Sequence, residues 1–178
     1  MADYILKIFD QLNSTSEKAK ELAAGGVAPW TVVMAVEQTG GYGRKGNAWF
    51  SPKGGLYFST VLPKSNVDDL QILTILAAFC VAKTIKENFG VEPFVKLPND
   101  VYLNNKKVCG ILTENVIRGE IKSSVIGIGI NTNVKTFPEE LRNSTTSLEM
   151  ELGKTIDNNQ ILEQIIIQLQ SVFRSISN

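Results

Sequence analysis

Histidine is absent from this 178-residue chain. Its absence removes imidazole acid–base catalysis, every Ser-His-Asp or Cys-His nucleophile device, and histidine metal ligation. Asp, Glu, Lys, Tyr and backbone groups remain for chemistry. Cysteine is scarce as well: Cys80 and Cys109 sit singly in apolar surroundings with no C-x-x-C spacing. They read as reduced core residues rather than a bridge or a metal pair. Neither sign of charge is in excess, since Lys plus Arg and Asp plus Glu each number 18. No global field therefore draws the chain to nucleic acid or a membrane surface, and nucleic-acid binding would need a local basic patch. No apolar run is long enough for a membrane span, and the start Met1-Ala2-Asp3-Tyr4 lacks the regions of a signal peptide. The expectation is one cytoplasmic domain, large enough to bury roughly 70% of its unfolded surface, with neither DNA nor membrane as a partner.

What is present divides into helices and strands. Ser14 stands where a helix cap is wanted, with Glu17 three residues on to complete a capping box, and Gly25-Gly26 ends the helix. Residues 31–37 and 56–62 read as strands. Residues 67–89 form a long helix, with Leu70, Leu73, Leu76, Ala77, Cys80 and Ile85 near helical spacing, closed by Gly90 and Pro93. Short strands follow at 94–96, 101–103, 108–116 and 122–131. The turn pairs Asn104-Asn105 and Arg118-Gly119 suggest an antiparallel meander. Residues 132–146 read as loop and 156–176 as an apolar-striped helix. Helices flanking a mainly antiparallel or mixed sheet make the fold class α+β.

Between the first two strands lies Thr39-Gly40-Gly41-Tyr42-Gly43-Arg44-Lys45-Gly46-Asn47-Ala48-Trp49. Gly41, Gly43 and Gly46 spell G-x-G-x-x-G, the dinucleotide fingerprint, which requires a helix to open at the loop and receive the pyrophosphate. Pro52, Gly54 and Gly55 prevent a continuous helix there. Gly153-Lys154-Thr155 resembles the tail of a P-loop, but Leu148 stands where its first glycine belongs. The loop keeps a physical meaning: glycines admit a ligand close to the backbone, Arg44 and Lys45 offer charge to an anion, and Trp49 offers a flat face. By itself it is equally compatible with a solvated surface turn.

Three further stretches complete the pattern: Lys96-Leu97-Pro98-Asn99-Asp100, Lys106-Lys107-Val108-Cys109-Gly110-Ile111-Leu112-Thr113-Glu114, and Gly127-Ile128-Gly129-Ile130-Asn131-Thr132-Asn133. In this order they resemble the biotin–protein ligase family, whose G-R-G-R-x-G-[RN]-x-W-x-S-P loop precedes K-W-P-N-D, K-[KV]-x-G-I-L-x-E and G-x-G-x-N-x-N. Asn13-Ser14-Thr15-Ser16 is similar to the family's D-S-T-N, and the resemblance runs from about residue 4 to the final helix.

The resemblance implies a catalytic domain like that of class II aminoacyl-tRNA synthetases. It also implies a two-step reaction, in which biotin and ATP with Mg²⁺ give biotinyl-5′-AMP, and the acyl group then passes to a lysine of a biotin carboxyl carrier domain. On the biotin side it points to Ser14, Thr15, Gln38, Gly41, Tyr42, Gly43, Lys107 and Gly110. On the ATP side it points to Arg44, Asn47, Trp49, Lys96, Asp100 and Asn131. Lys107 and Arg44 are the expected catalytic groups, a homodimer is the expected assembly, and no residues are assigned to Mg²⁺. Tyr42 departs from the first Arg of G-R-G-R, Leu97 from the Trp of K-W-P-N-D, and Asn13 and Ser16 from D-S-T-N. The chain reads as the catalytic domain alone, without an N-terminal DNA-binding segment or a C-terminal β-barrel domain. A lipoyl or octanoyl ligase and a catalytically impaired biotin-binding homologue are the alternatives.

Overall fold

Isoleucine and glycine alternate along Ile126-Gly127-Ile128-Gly129-Ile130, and the alternation fixes which face of the sheet is packed. In the computed structural model, which describes residues 3–63, 69–118 and 121–176, the three isoleucines are buried in the main core. The elements in chain order are β1 (Ile5–Leu12), α1 (Thr15–Ala24), β2 (Thr31–Gln38), β3 (Leu56–Val61), α2 (Leu70–Phe89), β4 (Phe94–Lys96), β5 (Asp100–Leu103), β6 (Lys106–Arg118), β7 (Ile121–Ile130), α3 (Leu148–Leu152) and α4 (Asn158–Ile176). The strands form one seven-stranded sheet in the order β1-β2-β3-β7-β6-β5-β4. Among the described residues only β1 and β2 pair as parallel strands; every other neighbour pair is antiparallel, and β4 to β7 make the expected meander.

The two faces carry different cores. Val32, Leu56, Phe58, Ile126, Ile128 and Ile130 face α2 and α4, whose stripes contribute Leu73, Ala77, Val81, Ile85, Ile161, Ile165 and Leu169. The alternate residues Val33, Val61, Val116 and Val125 pack on Ala19 and Ala23 of α1. A ten-residue helix covers only part of its face, so the rest of that face stays open for a ligand site.

Local chemistry explains most boundaries. Ser14 caps α1, its hydroxyl accepting from the Glu17 amide, but the reciprocal half of the expected capping box does not form. The Glu17 carboxylate is engaged by Lys20 and Tyr42 instead. Asp69 caps α2, and Gly90 ends it at φ 67°, the left-handed conformation a helix stop requires. The start expected at residues 67 and 68 lies outside the described residues, as does Gly119 of the second turn pair. Asn104 and Asn105 both have positive φ, as a two-residue turn between twisted strands demands. Two elements were not anticipated. β1 is an edge strand whose inward and outward positions follow no strict alternation. α3 is a short helix framed by a Ser147 cap and Gly153 at φ 68°, so the false P-loop tail is a helix stop. Among the described residues no helix is long and apolar enough to cross a membrane.

Cys80 and Cys109 are free and buried, as expected. Burial pushes the Cys80 thiol up to about 11 against the opposing pull of Lys83. Burial raises the fully enclosed Cys109 as well, Lys107 opposing and Asp100 adding to it. Thiolate is the reactive form, so neither cysteine should react with a thiol reagent at pH 8 until the fold is opened by denaturant. Rapid labelling of native protein would contradict this core.

Candidate active site

The open face of the sheet is floored by glycine. Gly110 pairs with Gly129 across β6 and β7, and Leu112 pairs with Gly127. A Cβ at Gly129 would lie 2.4 Å from Trp49 Nε1, and one at Gly110 would lie 3.0 Å from Trp49 Cζ3. A Cβ at Gly127 would lie 2.4 Å from Ser16 Oγ. Real Cβ atoms do not approach to 2.4 Å and seldom to 3.0 Å, so bare Gly127 and Gly129, helped by Gly110, let the Ser16 hydroxyl and the indole lie against the strands. Two cavities open here, of about 360 Å³ and about 190 Å³. Ala48, Trp49 and Lys107 line both and form the boundary between them.

The larger cavity has a hydroxyl-rich end at the first turn of α1. Ser14, Thr15 and Ser16 line it and are all buried. Thr15 Oγ1 and Ser16 Oγ lie 2.9 and 3.1 Å from Ser59 Oγ. Gln38 closes this end in a fixed orientation. Its Oε1 accepts from the Thr15 amide at 2.8 Å, and its Nε2 donates to Ser51 Oγ at 2.9 Å. The Ser51 hydroxyl donates in turn to the Trp49 carbonyl at 3.0 Å. Gly41 stands behind this relay rather than in the cavity wall, since a Cβ there would meet Ser51 Oγ at 2.7 Å and Gln38 Nε2 at 2.8 Å.

The other end is charged. Lys107 Nζ pairs with Asp100 Oδ1 at 2.6 Å and stands 5.2 Å from the centre of the Trp49 ring. Asn99 Nδ2 donates to the same carboxylate oxygen at 3.0 Å, and Asn99 Oδ1 accepts from an Arg44 guanidinium nitrogen at 3.2 Å. Arg44, Asn99, Asp100 and Lys107 therefore form one continuous polar chain along the larger cavity. It carries two cations and one carboxylate, a balance that suits an anionic ligand. Among the described residues no cluster of three or more His, Cys, Asp or Glu is arranged to hold a metal ion.

The glycine loop is a small hairpin rather than the mouth of a helix. Tyr42 bridges Ala48, Gly43 N donates to the Asn47 carbonyl at 2.8 Å, and Trp49 N donates to the Gly41 carbonyl at 2.9 Å. Its tip turns at Lys45 and Gly46, with φ of 59° and 73°. Tyr42, Gly43, Arg44 and Asn47 all line the larger cavity.

The Tyr42 hydroxyl anchors the loop to the body of the domain. It lies 2.5 Å from Glu17 Oε1 on α1 and 3.0 Å from Glu114 Oε2 on β6, and accepts from Lys20 Nζ at 3.0 Å. Lys20 also pairs with both carboxylates, each at 2.9 Å. Burial alone would lower the Lys20 ammonium, but its bonds to Glu17, Tyr42 and Glu114 outweigh that and raise it. Burial, with the Glu17 hydrogen bond next, raises Tyr42. The cluster thus holds a neutral phenol and a charged ammonium.

Three sequence-predicted residues stand apart from the larger cavity: Gly41, behind the Gln38–Ser51 relay, Asn131 and Lys96. Asn131 lines the smaller one, with its Nδ2 donating to the Thr146 carbonyl at 3.1 Å. Lys96 lines neither cavity, and its ammonium stands 5.5 Å from the centre of the Tyr102 ring. Ser51, Ser59 and the anchoring role of Lys20 were not anticipated. The alternation Ile126-Gly127-Ile128-Gly129-Ile130 did carry a signal for the bare floor, but nothing near Ser59 marks it out.

Replacing Tyr42 by Phe removes the anchoring hydroxyl while keeping the ring. Trypsin cleavage after Arg44 and Lys45 in the ligand-free protein is expected to quicken about tenfold, the worth of roughly one charge-assisted hydrogen bond. Cleavage at the wild-type rate would show that the cluster does not hold the loop.

Residues 8–131 match the family described as Biotin/lipoate A/B protein ligase. The bifunctional ligase/repressor BirA of Bacillus subtilis is 38% identical over 170 residues, which are 93% of this chain and 52% of that protein. The biotin–[acetyl-CoA-carboxylase] ligase of Paracoccus denitrificans is 31% identical over 159 residues, 85% of this chain and 65% of that protein. The chain thus spans about half the length of the first of these curated relatives. Among solved structures, the biotin protein ligase from Aquifex aeolicus in complex with biotin and ATP superposes with a TM-score of 0.88 at 32% identity, covering 97% of this chain and 72% of that one. By its sequence and its superposition, the chain belongs to the biotin/lipoate A/B protein ligase family and, within it, to the biotin protein ligases.

Proposed function

We propose that this domain joins biotin to ATP as biotinyl-5′-AMP and passes the acyl group to a lysine of a biotin carboxyl carrier domain. The observation that carries the reading is the position of Lys107. It lies on the wall shared by the two cavities, one ending in hydroxyl and amide groups and the other lined by aromatic rings and Asn131. A bicyclic urea suits the hydroxyl end, adenine suits the ring-lined cavity, and the reacting carboxylate and α-phosphate would then meet beside Lys107. The relative from Aquifex aeolicus was solved with both biotin and ATP, and one from Helicobacter pylori with biotinylated ATP.

Both steps then follow from the residues present. In the first, a biotin carboxylate oxygen attacks the α-phosphorus and pyrophosphate departs. Both reactants are anionic, so the main requirements are placement and charge neutralisation. Lys107 and Arg44 supply the cations, while Asp100 and Asn99 hold them in place. In the second step the acceptor amine attacks the acyl carbon and AMP leaves. The acyl group is already activated, and no histidine is required. Trp49 and Asn131 border the adenine cavity, and Ser14, Thr15 and Gln38 meet the urea. Asp100, the carboxylate in the larger cavity wall nearest Lys107, suits a Mg²⁺ ion carried in by the phosphates rather than a resident all-protein site.

The test is incubation with biotin, ATP, Mg²⁺ and a biotin carrier domain, followed by mass measurement of the acceptor. A gain of one biotinyl group is expected, and transfer of lipoate but not biotin would overturn the reading. Lys107→Ala is expected to lower biotin-dependent pyrophosphate release by about a hundredfold, the size of effect typical for loss of one transition-state charge partner, with the thermal transition retained. An unchanged rate would remove Lys107 from this role.

A further inference from the structure

Three hydroxyls at the biotin end form a chain with Ser59 in the middle. Thr15 and Ser16 line the cavity, whereas Ser59 lies behind them in β3 and is fully buried. Its hydroxyl is within 2.9 Å of Thr15 Oγ1 and 3.1 Å of Ser16 Oγ. Space for the chain exists because Gly127, directly opposite Ser59 in the register, has no side chain. A Cβ there would lie 2.4 Å from Ser16 Oγ and 3.3 Å from Ser59 Oγ.

Counting protons in this chain gives a constraint. Each hydroxyl has one hydrogen to donate and two lone pairs to accept with. Ser59 makes two of these bonds with one hydrogen, so it donates in at most one of them, and the favoured arrangement is to donate in one and accept in the other. The residue that receives the Ser59 hydrogen keeps its own free for the cavity. The residue that donates to Ser59 has spent its hydrogen and meets the cavity as an acceptor only. If Thr15 and Ser16 both donated inward, the Ser59 hydrogen would be buried without a partner, which is disfavoured.

We infer that Ser59 is a positioning residue that makes Thr15 and Ser16 present one donor and one acceptor to the cavity, the complement of a urea edge with its C=O beside an N–H. The inference rests on the biotin reading above and deepens it. The recognition would be polar rather than shape-based: a cyclic guanidinium of the same outline, which offers only donors, would be rejected because one cavity hydrogen has no acceptor to meet. The chain can also run in either direction, so the pair can meet the urea whichever residue faces the carbonyl.

The test compares biotin with 2-iminobiotin, in which a guanidinium replaces the urea at neutral pH, by calorimetry on the full chain. Ser59→Ala is expected to weaken biotin about tenfold while weakening 2-iminobiotin less, so that the ratio of the two affinities narrows. Ser16→Ala, which cuts the chain at its other end, is expected to narrow the same ratio, and the two changes together should do no more than either alone. Equal losses for both ligands would mean that Ser59 only supports the wall, and an unchanged ratio in both variants would overturn the inference. Absence of biotin binding by the wild-type chain would instead overturn the biotin reading itself. If Ser59→Ala does not fold, the Ser16→Ala ratio decides.

Discussion

The site depends on what is missing from two paired strands. Gly110, Gly127 and Gly129 leave β6 and β7 bare on the face opposite the main core. The Trp49 indole and the Ser16 hydroxyl occupy the space that side chains would otherwise fill. The other face of the same strands belongs to the main core, where Ile126, Ile128 and Ile130 are buried with residues of α2 and α4. Period-two alternation thus lets one strand serve as core on one side and as ligand floor on the other. A single methyl at Gly129 would have to move the indole, and with it the wall that Trp49 and Lys107 share.

The chemistry placed on this floor uses charge and position. Without histidine, the domain has no imidazole to move protons near neutrality. Lys107 and Arg44 are instead held in a chain through Asp100 and Asn99. Adenylation is served well by cations fixed beforehand, because negative charge builds on phosphate oxygens during the step. The same economy shows at Tyr42, where the family pattern often has arginine. Here a neutral phenol accepts from Lys20 between two carboxylates, so the loop is tied by hydrogen bonds to α1 and β6, which the Lys20–Glu114 ion pair joins to each other.

Much of this was legible in the sequence where local chemistry decides the outcome. Ser14 as a cap, Gly90 as a stop and Asn104-Asn105 as a tight turn follow from backbone preferences that tertiary packing did not override. The glycine loop could be separated from a dinucleotide site because Pro52 and the glycines after it forbid the required helix. β1 was missed because it is an edge strand, exposed at Ile5 and Ile8, so its apolar residues mark no single face. Glu17 was assigned to a cap because local spacing favoured it, yet Lys20 one turn on and Tyr42, 25 residues away in sequence, claimed its carboxylate. Ser59 could not be found at all, since a serine inside a strand carries no mark of the hydroxyls that will meet it, whereas Ser51 lies in the W-x-S-P stretch but nothing there marks the amide it holds.

Family membership leaves the order of events at Lys107 as the central claim: biotin and ATP react with one another on this domain before any acceptor arrives. Exchange of labelled pyrophosphate into ATP, measured without a carrier domain, tests that directly. The account predicts exchange that requires biotin and is not supported by lipoate. Exchange that ignores biotin, or none at all from a chain that binds biotin, would contradict it.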